Sequence, residues 1–351
     1  MIEALKQSKP VISCKAGDII AEDILINGVK LLGKDTLLNN YIIDKLRDNG
    51  IYKICTYNLQ EDLNLEDSSI ILSSLTQQYK LYINAIRDIF KDLVTKNEVD
   101  YDTIGKLAES ISENLKNSTY IVQCLTSLRE TDEYTYSHSL NVAFYCMLTA
   151  KWMNMSMDEI LEIIKAALLH DIGKMKVPNE ILNKPGRLSS SEFDEMKKHT
   201  IFGYDIINDC DEICRNVKQS ILMHHERTDG SGYPFGKVAE EIPTFAKIIA
   251  IADVFDAMTS NRVYKRKTTP FSAFKMFSSE GLKLFDIKIM HTFMEKVSVY
   301  YIGMKVKLNN EKEGEIVYIP PKDILYPIVR IDDEFIDFRA NKELCITDIY
   351  N

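Results

Sequence analysis

The spacing of hydrophobic residues changes twice along the chain, and these changes divide it into regions of different predicted structure. In the first region, two short apolar runs flank Asn27-Gly28, a strong signal for a β-hairpin. A helical pattern over about residues 38–48 and a strand-like run over residues 51–57 follow. The pattern predicts a small α+β domain over residues 1–57.

Residues 58–118 are predicted to form a linker followed by a long helix. The segment 60–69 is acidic and polar, which is typical of a linker. From residue 70 to about 116, apolar residues recur at helical spacing. One stripe of this helix contains Leu81, Ile83, Ile86, Ile89, Phe90 and Leu93. Such a stripe either packs on its own domain or pairs two copies of the chain into a homodimer.

The densest helical pattern covers residues 119–300 and predicts an all-helical bundle. Residues 156–159 and 189–192 each match the Ser-x-x-Glu capping box that opens a helix. We expect the second box to open the helix that carries His199. Helices of this kind bury their apolar faces against each other, and inward-facing polar side chains then form a site in the bundle core.

The last region, residues 301–351, returns to a strand-like pattern. Short runs at 304–308, 314–318 and 327–331 are separated by Asn, Gly and Asp, which predicts a small β domain. The predicted fold class is therefore mainly α: a helical bundle preceded by a small α+β domain and followed by a small β domain.

Composition narrows the functional classes. The 351-residue chain is 45% hydrophobic and 27% charged, as expected for a soluble globular protein, and we expect neither a secretory signal nor a membrane span. Seven scattered cysteines fit a reducing compartment, so we expect a cytoplasmic protein. The net charge of −9 argues against bulk nucleic acid as a partner. A small phosphorylated ligand remains compatible, because the run 262–267 is locally basic.

Histidines carry the strongest chemical signal. Five of the six lie within residues 138–225, on successive predicted helices and next to carboxylates: His138, His170, His199, His224 and His225. Structural packing does not explain such a concentration. Imidazole and carboxylate ligands without thiolates favour Fe, Mn or Zn, and the wide spacing excludes a zinc finger. The pattern predicts a polynuclear metal site inside the bundle.

Asp171 and Lys174 extend this prediction to a reaction. A carboxylate such as Asp171 can bridge two cations, and such a pair clamps the attacking and leaving oxygens of a phosphate ester and makes hydroxide available near neutral pH. Gly173 is expected to end the preceding helix and turn Lys174 back toward the site. There the ammonium group would neutralise a phosphate oxygen or assist the leaving group.

The order of these motifs resembles the HD-GYP family, which comprises bacterial cyclic-dinucleotide phosphodiesterases of the HD superfamily. The resemblance covers roughly residues 125–300 and rests on His170-Asp171, the later histidines and the run from His224 to Pro234. It implies metal ligands at His138, His170, Asp171, His199, His224, His225 and Asp253. It also implies a bridging role for Asp171.

The resemblance further implies which residues contact the substrate. Lys174 would contact a phosphate, and the loop that contains Tyr233 would shape the site beside the metals. Arg262 and Lys265 match basic positions that hold the phosphates of the cyclic dinucleotide. The family's Arg-x-Tyr-Arg run ends here in Lys265, which keeps the charge but loses the bidentate geometry of Arg.

One departure from the family concerns the number of metal ions. Members with three ions carry a Glu four residues before the first ligand histidine, where this chain has Tyr134. Glu133 stands one residue earlier, and one residue rotates a helical side chain by about 100°. We therefore expect two ions, Fe or Mn in divalent or mixed-valence form, and a third ion stays open as the alternative.

The implied function is hydrolysis of cyclic di-GMP to pGpG, with GMP as an open further product, by in-line attack of a metal-bridging hydroxide. Three alternatives stay open: a cyclic-dinucleotide receptor with slow or no catalysis, a phosphodiesterase for another cyclic dinucleotide such as cyclic GMP-AMP, and a general nucleotide phosphohydrolase. The run from His224 to Pro234 disfavours the last. The roles of the two flanking domains are not apparent from sequence.

Overall fold

The computed structural model describes residues 6–350 except 16–17, 27–28, 35, 37, 39, 58–64, 97–98, 128–133, 261–267, 321 and 333. Its helices are α1 (Asn40–Asp48), α2 (Leu65–Lys96), α3 (Tyr101–Ser112), α4 (Ser118–Ser127), α5 (Tyr134–Trp152), α6 (Met157–Leu169), α7 (Asn179–Leu182), α8 (Ser190–Lys197), α9 (His199–Ile207), α10 (Arg215–Met223), α11 (Thr244–Thr259), α12 (Pro270–Phe277), α13 (Gly281–Leu284) and α14 (Ile287–Ser298). Its strands are β1 (Lys6–Pro10), β2 (Ile24–Ile26), β3 (Val29–Leu32), β4 (Lys53–Tyr57), β5 (Lys305–Leu308), β6 (Glu313–Tyr318), β7 (Ile328–Ile331), β8 (Glu334–Asp337) and β9 (Ile346–Tyr350).

The N-terminal unit contains two antiparallel strand pairs and helix α1. Strands β2 and β3 pair as the hairpin signal predicted, although the turn at residues 27–28 lies outside the described residues. Strand β1, which pairs with β4, was not predicted because its Lys-Gln-Ser-Lys-Pro sequence has no apolar alternation. Buried residues of this unit, including Val11, Leu38 and Leu46, form a small apolar core of their own.

Helix α2 differs from its prediction in three respects. The one long helix predicted to about residue 116 is divided, because Asp100 caps a separate helix α3 and α2 ends at Lys96. Helix α2 begins at Leu65, so the linker prediction is wrong for residues 65–69, whose acidic composition suits a first helical turn equally well. Leu81 is 61% exposed, although the stripe placed it with Ile83, Ile86 and their neighbours. Two residues correspond to about 200° around a helix, so Leu81 faces away from Ile83.

The rest of the α2 stripe packs within the chain. Ile83, Ile86, Ile89, Phe90 and Leu93 are buried in the large core that also includes α4 and α5. A homodimer stays a prediction, and its interface would have to use other surfaces.

Helix α5 is the centre of the bundle. Every residue from 137 to 150 is buried, as expected for a helix enclosed on all sides. Helix α11 packs against it, with the rings of Tyr145 and Phe255 5.2 Å apart and edge to face. Polar side chains on these two helices therefore meet in the interior.

Both predicted capping boxes are present, but the second does not open the helix that carries His199. Ser189 and Glu192 cap α8, which ends at Lys197, and His199 begins α9. The His199 ring nitrogen Nδ1 lies 2.7 Å from the Met196 carbonyl oxygen. In an uninterrupted helix that oxygen would accept a hydrogen bond from the Thr200 amide. The imidazole competes with the amide for the oxygen, and this competition favours a break in the helix.

The C-terminal strands form an antiparallel sheet in the order β8-β7-β6-β5-β9, of which β8 and β9 were not predicted. The inner face of the sheet, with Val306 and Ile316, belongs to the same core as the bundle. Its strand β6 also touches the N-terminal unit, where Tyr318 stacks on Tyr57 at 5.8 Å. The predicted mainly α fold class is confirmed, and none of the described helices is long and apolar enough to cross a membrane.

Candidate metal centre

Seven potential ligands converge where the helices meet. They are His138 on α5, His170 and Asp171 after α6, His199 at the start of α9, His224 and His225 after α10, and Asp253 on α11. Six of them form two groups that share Asp171, and the ligand atoms within each group lie within 4.8 Å of one another. The helices thus bring together every residue that the sequence proposed as a ligand.

Asp171 lies between the two groups and turns a different oxygen toward each. Its Oδ2 atom is 3.3 Å from Nε2 of His170 and 3.7 Å from Nε2 of His138. Its Oδ1 atom is 3.5 Å from Nε2 of His199 and 4.0 Å from Nε2 of His224. This is the arrangement that a carboxylate needs in order to bridge two cations.

Asp253 connects the two groups a second time. Its Oδ1 atom lies 3.1 Å from Nε2 of His138, and its Oδ2 atom lies 3.8 Å from Nδ1 of His225. Burial alone would raise the pKa of Asp253, but hydrogen bonding and the charge of His138 hold it well below its ordinary value. The carboxylate is therefore ionised at neutral pH.

Three imidazoles are oriented by backbone carbonyls of their own helical turns. Nδ1 of His170 lies 2.7 Å from the Ala167 oxygen, and Nδ1 of His224 lies 2.8 Å from the Ile221 oxygen. His199 makes the same contact three residues back. A carbonyl only accepts, so each Nδ1 carries a proton and each Nε2 is left to face the cluster.

His138 is oriented differently, by a side chain of another helix. Its Nδ1 atom lies 2.7 Å from Oδ2 of Asp256, a buried residue of α11. Oδ1 of Asp256 accepts hydrogen bonds of 2.8 Å from Asn141 and from Ser260. Sequence reasoning missed Asp256; its position three residues after Asp253, on the same helical face, was the available signal.

The imidazoles of His199, His224 and His225, at one end of the cluster, are in the protonation state that binds a cation. Burial lowers the pKa of His199 to about 4, and burial together with neighbouring imidazoles lowers the pKa of His224 and His225 well below the ordinary value. These rings are neutral at neutral pH. Burial opposes the charge of His138 as well, but hydrogen bonds to Asp253 and Asp256 raise its pKa to about 9.

Two orphaned polar atoms show that the residues fit a metal. Nε2 of His170 and Oδ1 of Asp171 are buried and have no hydrogen-bond partner among the described residues. A buried polar atom without a partner costs free energy, and such atoms usually mark an ion or a water. Imidazole nitrogens and carboxylate oxygens are ligands for Fe, Mn and Zn alike, so the donor set suits a transition metal.

Gly173 positions the cluster in a way the sequence did not suggest. The prediction that it ends α6 is wrong, because α6 ends at Leu169 and Gly173 lies inside the 3-10 turn Ile172–Lys176. A Cβ atom there would overlap the carbonyl oxygen of His199 and the backbone nitrogen of Gly203. Only glycine lets this turn approach α9 closely enough for His199 to reach Asp171.

Lys174 lies where the sequence placed it, beside the shared carboxylate. Its Nζ atom is 2.5 Å from Oδ2 of Asp171, and its side chain is 26% exposed. Burial alone would raise the pKa of Asp171, but His170 and Lys174 hold it well below its ordinary value. Lys174 is thus a cation in contact with both the cluster and the solvent.

The loop after His225 covers one side of the cluster. The ring of Tyr233 lies 4.7 Å from that of His225, and burial raises the pKa of the Tyr233 hydroxyl. The buried carboxylate of Glu226, for which sequence reasoning gave no role, accepts hydrogen bonds from the amides of Phe235 and Lys237 at 2.8 and 2.9 Å. These bonds fix the loop against the helix from which the ligands come.

Several predicted site residues cannot be placed. Arg262, Lys265 and Glu133 lie outside the described residues. Tyr134 begins α5, but its side chain also lies outside the description, so the expectation of two ions rather than three stays a prediction. His291, the sixth histidine of the chain, is exposed on α14.

Comparisons with known proteins identify relatives of this chain. A family model described as an HD domain matches residues 123–289. A cyclic di-GMP phosphodiesterase of Pseudomonas aeruginosa is 34% identical over 247 residues, which are 70% of this chain and 59% of that protein. The match therefore spans less than two thirds of that relative.

A second relative matches over most of its length. A cyclic di-GMP phosphodiesterase of Thermotoga maritima is 30% identical over 306 residues, which are 84% of this chain and 83% of that protein. Among solved structures, an HDG"Y"P protein from Bdellovibrio bacteriovorus shares the fold with a TM-score of 0.51 and 14% identity. That match covers 82% of this chain and 98% of the other.

Proposed function

The chain belongs to the HD-GYP family of HD-domain proteins, and from this premise we propose that it is a metal-dependent phosphodiesterase that hydrolyses cyclic di-GMP to pGpG. The observation that carries the proposal is the shared carboxylate of Asp171, whose two oxygens face two separate sets of imidazoles. Such a site serves in-line displacement at a phosphate ester.

In this proposal, His138, His170 and Asp253 would hold one ion, His199, His224 and His225 would hold the other, and Asp171 would be shared between them. The imidazole and carboxylate donors suit Fe, Mn and Zn, and among these we propose Fe or Mn. When bound, two such ions supply an activated water and neutralise charge on the phosphodiester.

The chain's own residues would bind and orient the substrate. Lys174 is close enough to the shared carboxylate to contact a phosphate oxygen placed beside it, and its charge would stabilise the developing charge of the reacting phosphate. Tyr233 would form one wall of the site and limit the entry of water. We propose Arg262 and Lys265 as ligands of the substrate phosphates because a fork of donors and a point charge both suit a phosphodiester.

The experiment that tests this proposal is product analysis after a defined metal load. Protein purified without oxygen is loaded with Fe²⁺ or Mn²⁺ and incubated with cyclic di-GMP, and the products are identified by chromatography and mass spectrometry. We expect pGpG to form in loaded protein but not in chelated protein. His199→Ala should abolish turnover, whereas His291→Ala, which changes an exposed histidine outside the cluster, should not.

Two outcomes would favour the alternatives. Tight binding of cyclic di-GMP by loaded protein without cleavage would contradict the enzyme and favour a receptor. Faster turnover of cyclic GMP-AMP than of cyclic di-GMP, measured in competition, would keep the chemistry and replace the substrate. Turnover that persists in the His199→Ala variant would contradict the proposed ligand set.

A further inference from the structure

A chain of buried hydrogen bonds runs from helix α2 to His138. The hydroxyl of Tyr79 on α2 donates to Oδ1 of Asn141 at 2.8 Å. Nδ2 of Asn141 donates to Oδ1 of Asp256 at 2.8 Å, and Oδ2 of Asp256 accepts from Nδ1 of His138 at 2.7 Å. None of the four side chains is more than 5% exposed.

The direction of each bond is fixed by chemistry. Oδ1 of Asp256 accepts from the amide of Asn141 and the hydroxyl of Ser260, and Oδ2 faces Nδ1 of His138 as an acceptor. A flipped Asn141 amide would set its oxygen against Oδ1 of Asp256, which is repulsive. The Tyr79 hydroxyl, as donor to the amide oxygen, stabilises the orientation that lets Asn141 donate to Asp256.

We propose that Tyr79 is a positioning residue for the metal centre: through Asn141 and Asp256 it holds the His138 imidazole with Nε2 aimed at its ion. A ligand imidazole whose other nitrogen donates to a carboxylate binds metal more strongly and in a fixed orientation. Tyr79 lies on α2, the first helix after the N-terminal unit. A displacement of α2 at Tyr79 would break the bond to Asn141 and so change the affinity of one ion. This inference rests on the proposed ligand role of His138.

The two ions should respond differently to the loss of the Tyr79 hydroxyl. His199 and His224 are oriented by carbonyls of their own turns and have no part in this chain of bonds. Loss of the Tyr79 hydroxyl should therefore weaken the ion bound by His138 and leave the ion bound by His199 and His224 unchanged.

The test is a two-step titration of chelated protein with Co²⁺ under nitrogen, followed by the visible d–d spectrum and by calorimetry. Tyr79→Phe should weaken one binding step by about threefold to tenfold, the value of one net hydrogen bond, and should shift the absorption band of that ion. Tyr82→Phe is the matched control. It removes a similarly buried hydroxyl of the same helix, which bonds instead to the Ser110 carbonyl at 3.1 Å, and it should leave both steps unchanged.

A double-mutant cycle tests the route. Asn141→Leu should weaken the same step, and Tyr79→Phe should add nothing in that background because the two residues act in series. Additive effects, or equal changes in both steps, would overturn the inference. His138→Ala distinguishes failure of the ligand role of His138 from failure of the positioning role of Tyr79. If this variant leaves both binding steps unchanged, the proposed ligand role fails. If it removes one step while Tyr79→Phe leaves both unchanged, only the positioning role fails.

Discussion

The two ends of the metal centre differ in how one imidazole is held, that of His138, because His170 at the same end contacts a carbonyl of its own turn. At one end, His199 and His224 donate to carbonyl oxygens three residues earlier in the chain. At the other end, His138 donates to Asp256, a carboxylate 118 residues away in sequence. The first arrangement forms wherever the local turn forms. The second exists only when α5 and α11 are packed together, so it is the end that distant changes in packing can modulate.

The largest effect is expected from a variant that weakens metal binding at both ends of the centre. Asp171→Ala deletes the carboxylate that faces both sets of imidazoles, so we expect loss of both ions. Hydrolysis should fall at least about a thousandfold, because the ions supply several kcal/mol of transition-state stabilisation. Metal analysis and turnover measure this. Asp158→Ala, which changes an exposed acidic residue on α6, should keep the metal content and turnover of the wild type. If Asp171→Ala retains one ion, the carboxylate does not bridge the two.

Gly173→Ala should damage the His199 end. The added methyl group would overlap backbone atoms of α9 and force that helix away from Asp171. We expect a loss of about 3 kcal/mol in the free energy of unfolding of chelated protein, as for overpacked cores, and weaker binding of the ion held by His199 and His224. Urea unfolding and Co²⁺ titration measure the two effects. Gly105→Ala on α3, where nothing lies within 4 Å of the new Cβ, should raise stability slightly. Equal stability of the two variants would refute the close approach.

Asp256→Asn should affect only the His138 end. The substitution keeps the shape of the side chain but removes the charge that makes the imidazole a stronger ligand. We expect about a 10- to 100-fold weaker affinity for one ion. Calorimetric titration resolves the two steps, and a loss of affinity in both would contradict the separation of the ends. Asp286→Asn, at the N-cap of α14, serves as a control because Asn caps a helix as well as Asp.

Lys174→Ala should have the smallest effect on metal binding and leave both ends intact. Lys174 contacts the shared carboxylate but is not one of the proposed metal ligands, so both Co²⁺ steps should be retained. Turnover of cyclic di-GMP should fall by about a hundredfold, as for the loss of one stabilising donor. Lys176→Ala, an exposed lysine of the same 3-10 turn, should turn over normally. Normal turnover of the Lys174 variant would remove its proposed role.

Much of the centre was predictable because its ligands are chemically conspicuous. Five histidines near carboxylates predicted a metal site, and each of those side chains lies in the cluster. The capping boxes and the strand pattern of the tail were also correct, since they depend on residues within a few positions of each other. Local rules failed where a neighbouring element decided the outcome, as at Leu81 and at the break before His199.

The sequence by itself therefore determined the mainly α fold class and which imidazoles and carboxylates gather in the bundle, because residue type and helical periodicity are local properties. Tertiary structure alone decided how those groups are held. The pairing of His138 with Asp256, the link through Asn141 to Tyr79 and the need for glycine at residue 173 all join segments far apart in the chain. Such contacts depend on how helices pack, and no spacing rule along one segment encodes them.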